Sequence, residues 1–389
     1  MQKSKFGLFA FFFFYFSGVG LLNTFLPIYW HRSGFNFSQI GIFNTTFSIA
    51  GGVALMPICA LSDRLQQRHA FVIAGAVLSG AGAILLQFSS NFQGIIAIQA
   101  LSGVAMSVSM SLAGTMCADA FQSQNSGKGF GSARAGGTFG YLLVMVLLLF
   151  VSLKLRDLLS FNLSSLCFLL AAVSVQVVPR QQKVKTHASS SFHGFTQILR
   201  NRNAIAFLLF YFLMQMSFSG QMSYLTLYIN GLNPAPEKWF IPLALIFSSM
   251  VELPFMALSG RYIDRLGALA PLKITCIAMV IRTLGYALFP NQTAILGLQL
   301  MHGLTFSLFT IAPFAFFATL AEERYRATSL AILGVVTTIS FAITPLIAGR
   351  LADRIGIQNL FFVFSLCAFL GSIVLFAFVK QPKTAFPEL

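Results

Sequence analysis

Charged residues are scarce in this chain, since Asp, Glu, Lys and Arg together make up only 9% of its 389 residues. A soluble globular protein carries about 25% charged residues, so the composition excludes that class. Hydrophobic residues make up 57% of the chain, and Phe alone occurs 44 times. This balance is typical of an integral membrane protein with many spans, whose expected partner is the lipid bilayer.

Cysteine is also scarce, and its pattern excludes two classes of site. No C-x-x-C pair or Cys/His spacing is present, so the sequence indicates neither a metal site nor a disulfide framework. No G-x-x-x-x-G-K-[ST] pattern occurs, so the sequence indicates no ATP site of this type, and we expect no cofactor. An enzyme would need a nucleophile, a metal set or paired acids at one bilayer face, and the sequence offers none. The cysteines are Cys59, Cys117, Cys167, Cys276 and Cys367.

Basic residues outnumber acidic residues by 25 to 10, which gives a formal net charge of +15. They lie in short stretches between apolar runs, not on one basic face with aromatics between, so a nucleic-acid partner is not expected. When both termini are placed in the cytoplasm, most Lys and Arg residues fall in cytoplasmic segments, as the positive-inside rule requires. The sequence therefore predicts a multi-pass protein of the inner (plasma) membrane with both termini cytoplasmic.

Apolar runs long enough to cross a bilayer, which takes about 20 residues, recur along the chain. They must be helical, because isolated strands would leave backbone groups unpaired in lipid. We predict an all-α membrane protein of twelve transmembrane helices in two six-helix bundles, residues 1–179 and 204–389, with a basic cytoplasmic linker at 180–203. The first run is too long for a signal peptide and lacks an A-x-A-like cleavage site. The runs are 6–30, 38–61, 70–90, 94–118, 132–152, 159–178, 204–229, 240–259, 270–289, 293–318, 328–347 and 359–379.

A weak internal repeat supports two related halves, the architecture of the major facilitator superfamily. The pattern G-R-x-x-D-R-x-G follows spans 8 and 11, at 260–267 and 349–356, and ALSDR follows span 2, at 60–64. Glycine lets helix ends approach closely, while Asp and Arg can cap or pair across a tight loop. Any single copy could be an ordinary short turn, but the set favours a duplication. We predict gating loops after spans 2 and 8, carried by Asp63, Arg64, Asp264 and Arg265.

Three ionisable side chains interrupt apolar spans of the second bundle, namely Glu252, Arg282 and His302. A charge at that depth costs at least about 2.5–3.5 kcal/mol on insertion scales, so such groups pair, face water or handle a solute. Burial disfavours a charged carboxylate, so Glu252 can exchange protons near neutral pH, and His302 can titrate there as well. We predict that the three residues line a transport pathway. The competing interpretation is a structural Glu252–Arg282 pair with His302 as a packing residue.

Several stretches resemble a known family. CADAF at 117–121, GSARAGG at 131–137 and FGLF at 6–9 are similar to the lactose permease and oligosaccharide:proton symporter group of the major facilitator superfamily. The neighbouring phenylpropionate and nucleoside permeases are similar as well, and the resemblance covers nearly the whole chain. It implies a twelve-helix secondary transporter whose partners are a small-molecule substrate and protons.

The resemblance also implies a substrate site with contributions from both bundles. Asp119 and Arg134 would hold substrate hydroxyls or a carboxylate, and Tyr141 stands where the family has a Trp that stacks on a sugar ring. Glu252 and His302 fall on family positions for substrate binding. Glu252, Arg282 and His302 fall on family positions for proton coupling. The alternatives are an interfacial Asp119–Arg134 pair that anchors two helices, and Tyr141 as a packing residue.

The chain also departs from the sugar porters of that family. The family Glu one turn after His302 is Thr305 here, and a threonine cannot carry a proton. The family's buried acid and lysine pairs are replaced here by neutral residues. Because both partners of each pair are lost, no unpaired charge remains in the membrane. HGLTF at 302–306 is closer to the phenylpropionate permeases. The neutral replacements fall on Ser217, Gly220, Gln299 and Thr338.

The sequence therefore predicts a monomeric transporter that moves a small organic solute by alternating access, through a central cavity between the bundles, by proton symport. A sugar-like substrate is the first expectation, with an aromatic acid or a nucleoside as alternatives. Efflux of hydrophobic compounds is a second class, compatible with the many Phe residues. A receptor that binds a solute without moving it is a third.

Overall fold

The computed structural model describes residues 2–120, 126–151, 153–179, 198, 200–237, 239–320 and 326–381. Within these ranges the regular elements are α-helices and one π-helical turn. Contacts divide the chain into two compact units, residues 1–185 with 237–243 and residues 186–236 with 244–389. Most of the predicted linker, 180–203, lies outside the described residues, so the predicted domain bounds stay a prediction.

The first unit contains six helices that follow the first six apolar runs of the sequence. An Asn36/Gln39 capping box begins the second of them, because each side chain accepts from the other residue's backbone N–H. The helices are α1 (Gln2–Arg32), α2 (Phe37–Leu65), α3 (Arg68–Phe88), α4 (Phe92–Ala120), α5 (Ser126–Leu149) and α6 (Leu153–Gln176).

The helices after residue 200 form the second unit, apart from the first residues of α8. Asn201 and Asn291 cap two of them by accepting backbone N–H bonds with their side-chain oxygens. The elements are α7 (Arg202–Asn230), α8 (Phe240–Leu266), α9 (Leu269–Leu288), α10 (Gln292–Gln299), the π-helical turn Gly303–Ser307, α11 (Leu308–Ala318), α12 (Arg326–Ile355) and α13 (Ile357–Phe378).

The two units repeat one packing pattern. In the first unit α1 packs on α5 and α6, and α3 packs on α4 and α6. In the second unit α7 packs on α12 and α13, and α9 packs on α11 and α13. When α10 and α11 are counted as one span, these are the same pairings shifted by six helices. The predicted fold class, two pseudo-symmetric bundles of membrane helices, is confirmed.

The helices of the structure account for the twelve predicted spans when the bent tenth span and the short sixth span are included. Ten described helices are long and apolar enough to cross a bilayer. An eleventh span results if α10 and residues 303–318, which meet at a bend of 43°, are taken together. A shorter apolar stretch, Ser160–Gln176 of α6, occupies the place of the predicted sixth span.

The predicted tenth span is therefore not one straight helix. It tightens at the end of α10 through backbone bonds of the i→i−3 type and then widens into the π-helical turn. Gly303 begins that turn and lies against α8, where an added Cβ would be 2.9 Å from the carbonyl oxygen of Val251. π-Helical turns inside helices occur frequently at functional sites. His302, one of the three ionisable residues, lies at this bend.

The structure also explains the internal repeat. Gln66, Gly267 and Gly356 are the residues that stand three positions after the repeated Asp, and all three have positive φ angles of 56°, 71° and 84°. Glycine reaches this region without the cost that a Cβ imposes. The repeat thus marks a sharp end to each of the three helices.

Candidate functional site

The second unit brings Glu252, Arg282 and His302 into one cluster. Glu252 lies on α8, Arg282 on α9, and His302 at the bend between α10 and the π-helical turn. The Nε2 atom of His302 is 3.9 Å from Oε2 of Glu252, and its Nδ1 atom is 3.0 Å from Nη1 of Arg282. His302 therefore stands between the acid and the base.

Arg282 is almost completely buried, with 1% of its surface exposed. Its guanidinium donates from Nε to the Tyr286 hydroxyl at 3.0 Å, from Nη1 to the Thr305 hydroxyl at 2.8 Å, and from Nη2 to the Gln299 carbonyl oxygen at 2.7 Å. With the His302 contact, four neutral groups surround the charge. Each hydrogen bond to a charged group contributes about 1.5–3 kcal/mol, which offsets the cost of holding an arginine at this depth.

The contact with Arg282 defines the protonation of His302. A guanidinium has N–H donors and no acceptor, so Nδ1 of His302 must accept. The neutral ring then carries its proton on Nε2, which faces Glu252. A doubly protonated ring would place an N–H group against the guanidinium, so this geometry favours a neutral histidine.

Hydroxyl groups tie the π-helical turn to the helices beside it. Ser307 donates to the backbone oxygen of Glu252 at 3.0 Å, and Thr275 of α9 donates to the backbone oxygen of Leu304 at 3.0 Å. Backbone groups near a helix irregularity need such partners inside a membrane. The bend is therefore fixed on both sides by the helices that carry the acid and the base.

Sequence reasoning missed the neutral residues that hold Arg282. Gln299 and Thr305 were recognised only as replacements for charged residues, and Tyr286 was not considered. Helical spacing is the signal that could have found Tyr286, which lies four residues after Arg282 on the same face of α9. Gln299 and Thr305, which are neutral where the family's sugar porters carry charged residues, thus bind the guanidinium of Arg282.

The first unit pairs its predicted site residue Asp119 with an arginine that the sequence analysis missed. Nη1 of Arg68 is 2.6 Å from Asp119 at the end of α4, and its Nε is 2.6 Å from Asp63 at the end of α2. Arg68 begins α3, so its guanidinium joins the ends of three helices. The predicted gating residue Asp63 and the predicted substrate residue Asp119 belong to the same cluster, which we call the helix-end cluster (Asp63, Arg68 and Asp119).

Arg134 of α5 lies against aromatic rings of α1. Its Cζ atom is 4.1 Å from the ring centroid of Phe16 and 5.3 Å from that of Phe12. Both distances are within the range in which a ring face attracts a cation. The structure thus places the predicted substrate residue Arg134 beside two of the many phenylalanines of α1.

Tyr141, two turns after Arg134 on α5, also faces α1. An added Cβ on Gly20 would lie 2.7 Å from Cδ2 of the Tyr141 ring, so the tyrosine occupies the space that this glycine leaves. The remaining predicted gating residues, Arg64, Asp264 and Arg265, are exposed at the ends of α2 and α8.

Comparison with known proteins agrees with this architecture. The Major Facilitator Superfamily profile matches residues 8–299 and 283–388. The chain belongs to that superfamily. It is therefore a multi-pass membrane transporter, and the family expected from the sequence is confirmed.

Relatives carry several different names. An uncharacterized MFS-type transporter of Methanocaldococcus jannaschii is 25% identical over 342 residues, which cover 85% of this chain and 84% of that protein. The maltose permease of Geobacillus stearothermophilus is 23% identical over 328 residues, covering 84% and 82%. A multi-drug resistance efflux pump PmrA homolog of Lactococcus lactis subsp. lactis is 29% identical over 171 residues, covering 42% and 41%.

Solved structures share the fold. The crystal structure of nucleoside transporter NupG has a TM-score of 0.83 and 15% identity, covering 98% of this chain and 100% of that one. A bacterial homolog of the human lysosomal transporter Spinster has a TM-score of 0.76 and 11% identity, covering 97% and 96%. At these identities the likeness concerns the fold alone.

Proposed function

We propose that this protein is a secondary active transporter of the inner (plasma) membrane that moves a small organic solute together with protons by alternating access. The observation that carries the proposal is the buried contact chain from Glu252 through His302 to Arg282. Keeping a carboxyl, an imidazole and a guanidinium in one buried cluster is costly inside a membrane, and such clusters mark functional sites. This supports a role for the cluster in proton coupling.

Glu252 is the proposed proton carrier. When ionised, its carboxylate faces the Nε2–H of His302, whose other nitrogen is engaged by Arg282. Protonation converts the carboxyl from an acceptor into a donor and removes the attraction to the histidine. Because α8 and the bend each carry one side of this contact, protonation can bias how they pack. His302 takes part in coupling by facing the carboxyl of Glu252, and Arg282 takes part by orienting the ring of His302.

Solute binding is proposed for Asp119, Arg134 and Tyr141 in the first unit and for Glu252 and His302 in the second. Carboxylates accept solute hydroxyls, the guanidinium donates to hydroxyl or carboxylate oxygens, and the tyrosine ring suits a sugar or aromatic face. The maltose permease relative supports a sugar as the first substrate to test. A nucleoside and an aromatic acid are the alternatives.

The helix-end cluster is proposed to act in gating. It joins α2, α3 and α4 through one guanidinium, and alternating access requires contacts at helix ends that form in one state and break in another. The loop after α8, with Asp264 and Arg265, would take the corresponding place in the second unit. We also propose a monomer, with both termini in the cytoplasm.

Reconstitution tests the proposed function directly. Purified protein in vesicles would be given labelled maltose, uridine or 3-phenylpropionate, with and without an inside-alkaline pH gradient. We expect one of them to accumulate with the gradient and to lose accumulation when a protonophore is added. Saturable uptake with equal accumulation in the presence and absence of the gradient would refute proton coupling.

Drug efflux is the second candidate, favoured by the similarity to the multi-drug resistance efflux pump PmrA homolog. That similarity covers less than half of the chain. Under this alternative, expression would confer resistance to hydrophobic compounds, and inverted vesicles would take those compounds up while maltose, uridine and 3-phenylpropionate are ignored.

A further inference from the structure

The contact between α1 and α5 is unusually close around Arg134. Added Cβ atoms on Gly136 and Gly140 would collide with the backbone oxygens of Phe9 and Phe13. Small residues at such crossings let helix backbones approach each other. The two helices are therefore in close backbone contact at two points within the two turns of α5 that follow Arg134.

Gly137 leaves the space that the Arg134 guanidinium uses. An added Cβ there would be 2.7 Å from Nη1 of Arg134 and 2.8 Å from Cδ2 of Phe16. The guanidinium and the ring thus meet over a position where no side chain is present. A methyl group at residue 137 would have to displace one of them, because real Cβ atoms essentially never approach other atoms this closely.

Phe16 supplies the attraction that holds the charge there. A ring face attracts a cation electrostatically without consuming any of its N–H donors. The five N–H groups of a guanidinium lie in one plane and are suited to the oxygens of hydroxyls and carboxylates. The ring contact therefore fixes where the guanidinium lies without itself occupying an N–H group.

We infer that Phe16 and Gly137 form a seat that positions the guanidinium of Arg134 for solute binding. The inference rests on the proposed function, because it assumes that Arg134 contacts the solute. Phe16 is a positioning residue that acts through Arg134. The seat suits an oxygen-rich solute, such as a sugar or an organic acid, better than a purely hydrophobic compound.

The test compares Phe16→Leu with Phe16→Tyr, which keeps the ring. Phe13→Leu is the matched control, since Phe13 is another half-buried phenylalanine one turn earlier on α1 whose ring contacts are with Phe9 and Phe14. Exchange of labelled maltose, uridine or 3-phenylpropionate across vesicles, without a pH gradient, gives the half-saturation concentration and the maximal rate.

We expect Phe16→Leu to raise the half-saturation concentration by roughly 2- to 30-fold, the range of one cation–π contact, with an unchanged maximal rate and thermal unfolding midpoint. Phe16→Tyr and Phe13→Leu should stay within about twofold of the unchanged protein. Gly137→Ala should raise the half-saturation concentration as Phe16→Leu does, because it moves the guanidinium off the ring.

A double-mutant cycle separates positioning from packing. If Phe16 acts through Arg134, Phe16→Leu should change the half-saturation concentration by less than about twofold once Arg134→Gln is present. An equal effect in both backgrounds, or an equal effect of Phe13→Leu, would overturn the inference.

The exchange assay also keeps the two proposals apart. Exchange needs a solute site but no proton gradient. A protein whose exchange responds to Phe16 as described, but which accumulates nothing with a pH gradient, would refute proton coupling and leave the seat intact.

Discussion

The two units hold the arginines of their charged clusters in different surroundings, one at the ends of helices and the other inside the bundle. In the first unit Arg68 joins Asp63 and Asp119 at the ends of helices, where their side chains are 23%, 48% and 13% exposed. In the second unit the side chains of Glu252 and His302 are 15% and 9% exposed, and Arg282 is buried in the middle of α9. Asp119 is as shielded as Glu252, so the contrast lies at the two arginines, of which Arg68 is partly exposed and Arg282 is buried. Ion pairs near the surface contribute about 0–1 kcal/mol, whereas removing one partner of a buried charged contact costs several times more.

This difference suggests that the two units of the duplicated fold have different roles, gating in the first and proton coupling in the second. A cluster of weak contacts at helix ends can form and break during each transport cycle. A buried cluster is costly to disturb, so it is suited to a group whose protonation must alter the packing around it. The predictions that follow test this contrast.

The largest effect is expected at Arg282. Arg282→Met removes a guanidinium that donates to four neutral groups and leaves the Gln299 oxygen buried without that donor. We expect a loss of about 3 kcal/mol or more in the free energy of unfolding, measured by thermal or denaturant unfolding in detergent. Arg261→Met, on the exposed end of α8, is the control and should change stability by less than about 0.5 kcal/mol. Equal losses in the two variants would contradict a structural role for the buried cluster.

The next effect concerns transport rather than stability. Glu252→Gln keeps the shape of the side chain but cannot exchange a proton, so gradient-driven accumulation should be lost and the solute should only equilibrate to equal concentrations inside and outside the vesicles. Exchange without a gradient should persist. Glu237→Gln, an exposed carboxyl in the loop before α8, should leave accumulation unchanged. Accumulation by Glu252→Gln at the normal level would move the proton site to another residue, with Asp119 and His302 the next candidates.

The sequence predicted the fold well because lipid leaves the chain few options. Apolar runs of span length had to be helices, and the repeated Asp positions showed the duplication. Glu252, Arg282 and His302 were also visible, since a titratable group in an apolar run is costly and therefore informative. That His302 would stand between the other two was not visible, because it depends on the bend after α10.

The helix-end cluster shows what sequence alone could not give. Arg68 and Asp119 are 51 positions apart, and only the packing of α3 on α4 brings them together. The family motifs indicated Arg134 as a partner of Asp119 and gave no sign of Arg68. The aromatic surroundings of Arg134 were equally hidden, since α1 offers many phenylalanines and the crossing with α5 selects two of them.

A smaller effect is expected in the helix-end cluster. Asp119→Asn removes the better shielded of the two carboxylates bound to Arg68 and should cost about 1 kcal/mol in unfolding free energy. Asp63→Asn, at the more exposed carboxylate, should cost less. Raising the salt concentration should shrink both differences, because ions screen exposed charges. A loss that is independent of salt and as large as that of Arg282→Met would remove the contrast between the units.

The smallest effect concerns the turn after α2, where the first unit has Gln66 at a position that is glycine in both repeats of the second unit. With φ at 56°, Gln66 carries the cost of a left-handed residue, about 1–2 kcal/mol. Gln66→Gly should relieve that cost, but the entropy of glycine offsets about 0.5–1 kcal/mol of the gain. We therefore expect a stabilisation of about 0.5 kcal/mol. Gln67→Gly is the matched control, since its φ of −120° offers no cost to relieve, and it should destabilise slightly. If Gln66→Gly instead destabilises the protein more than its neighbour does, the Gln66 side chain has a structural role in the first unit that glycine cannot fill in the second.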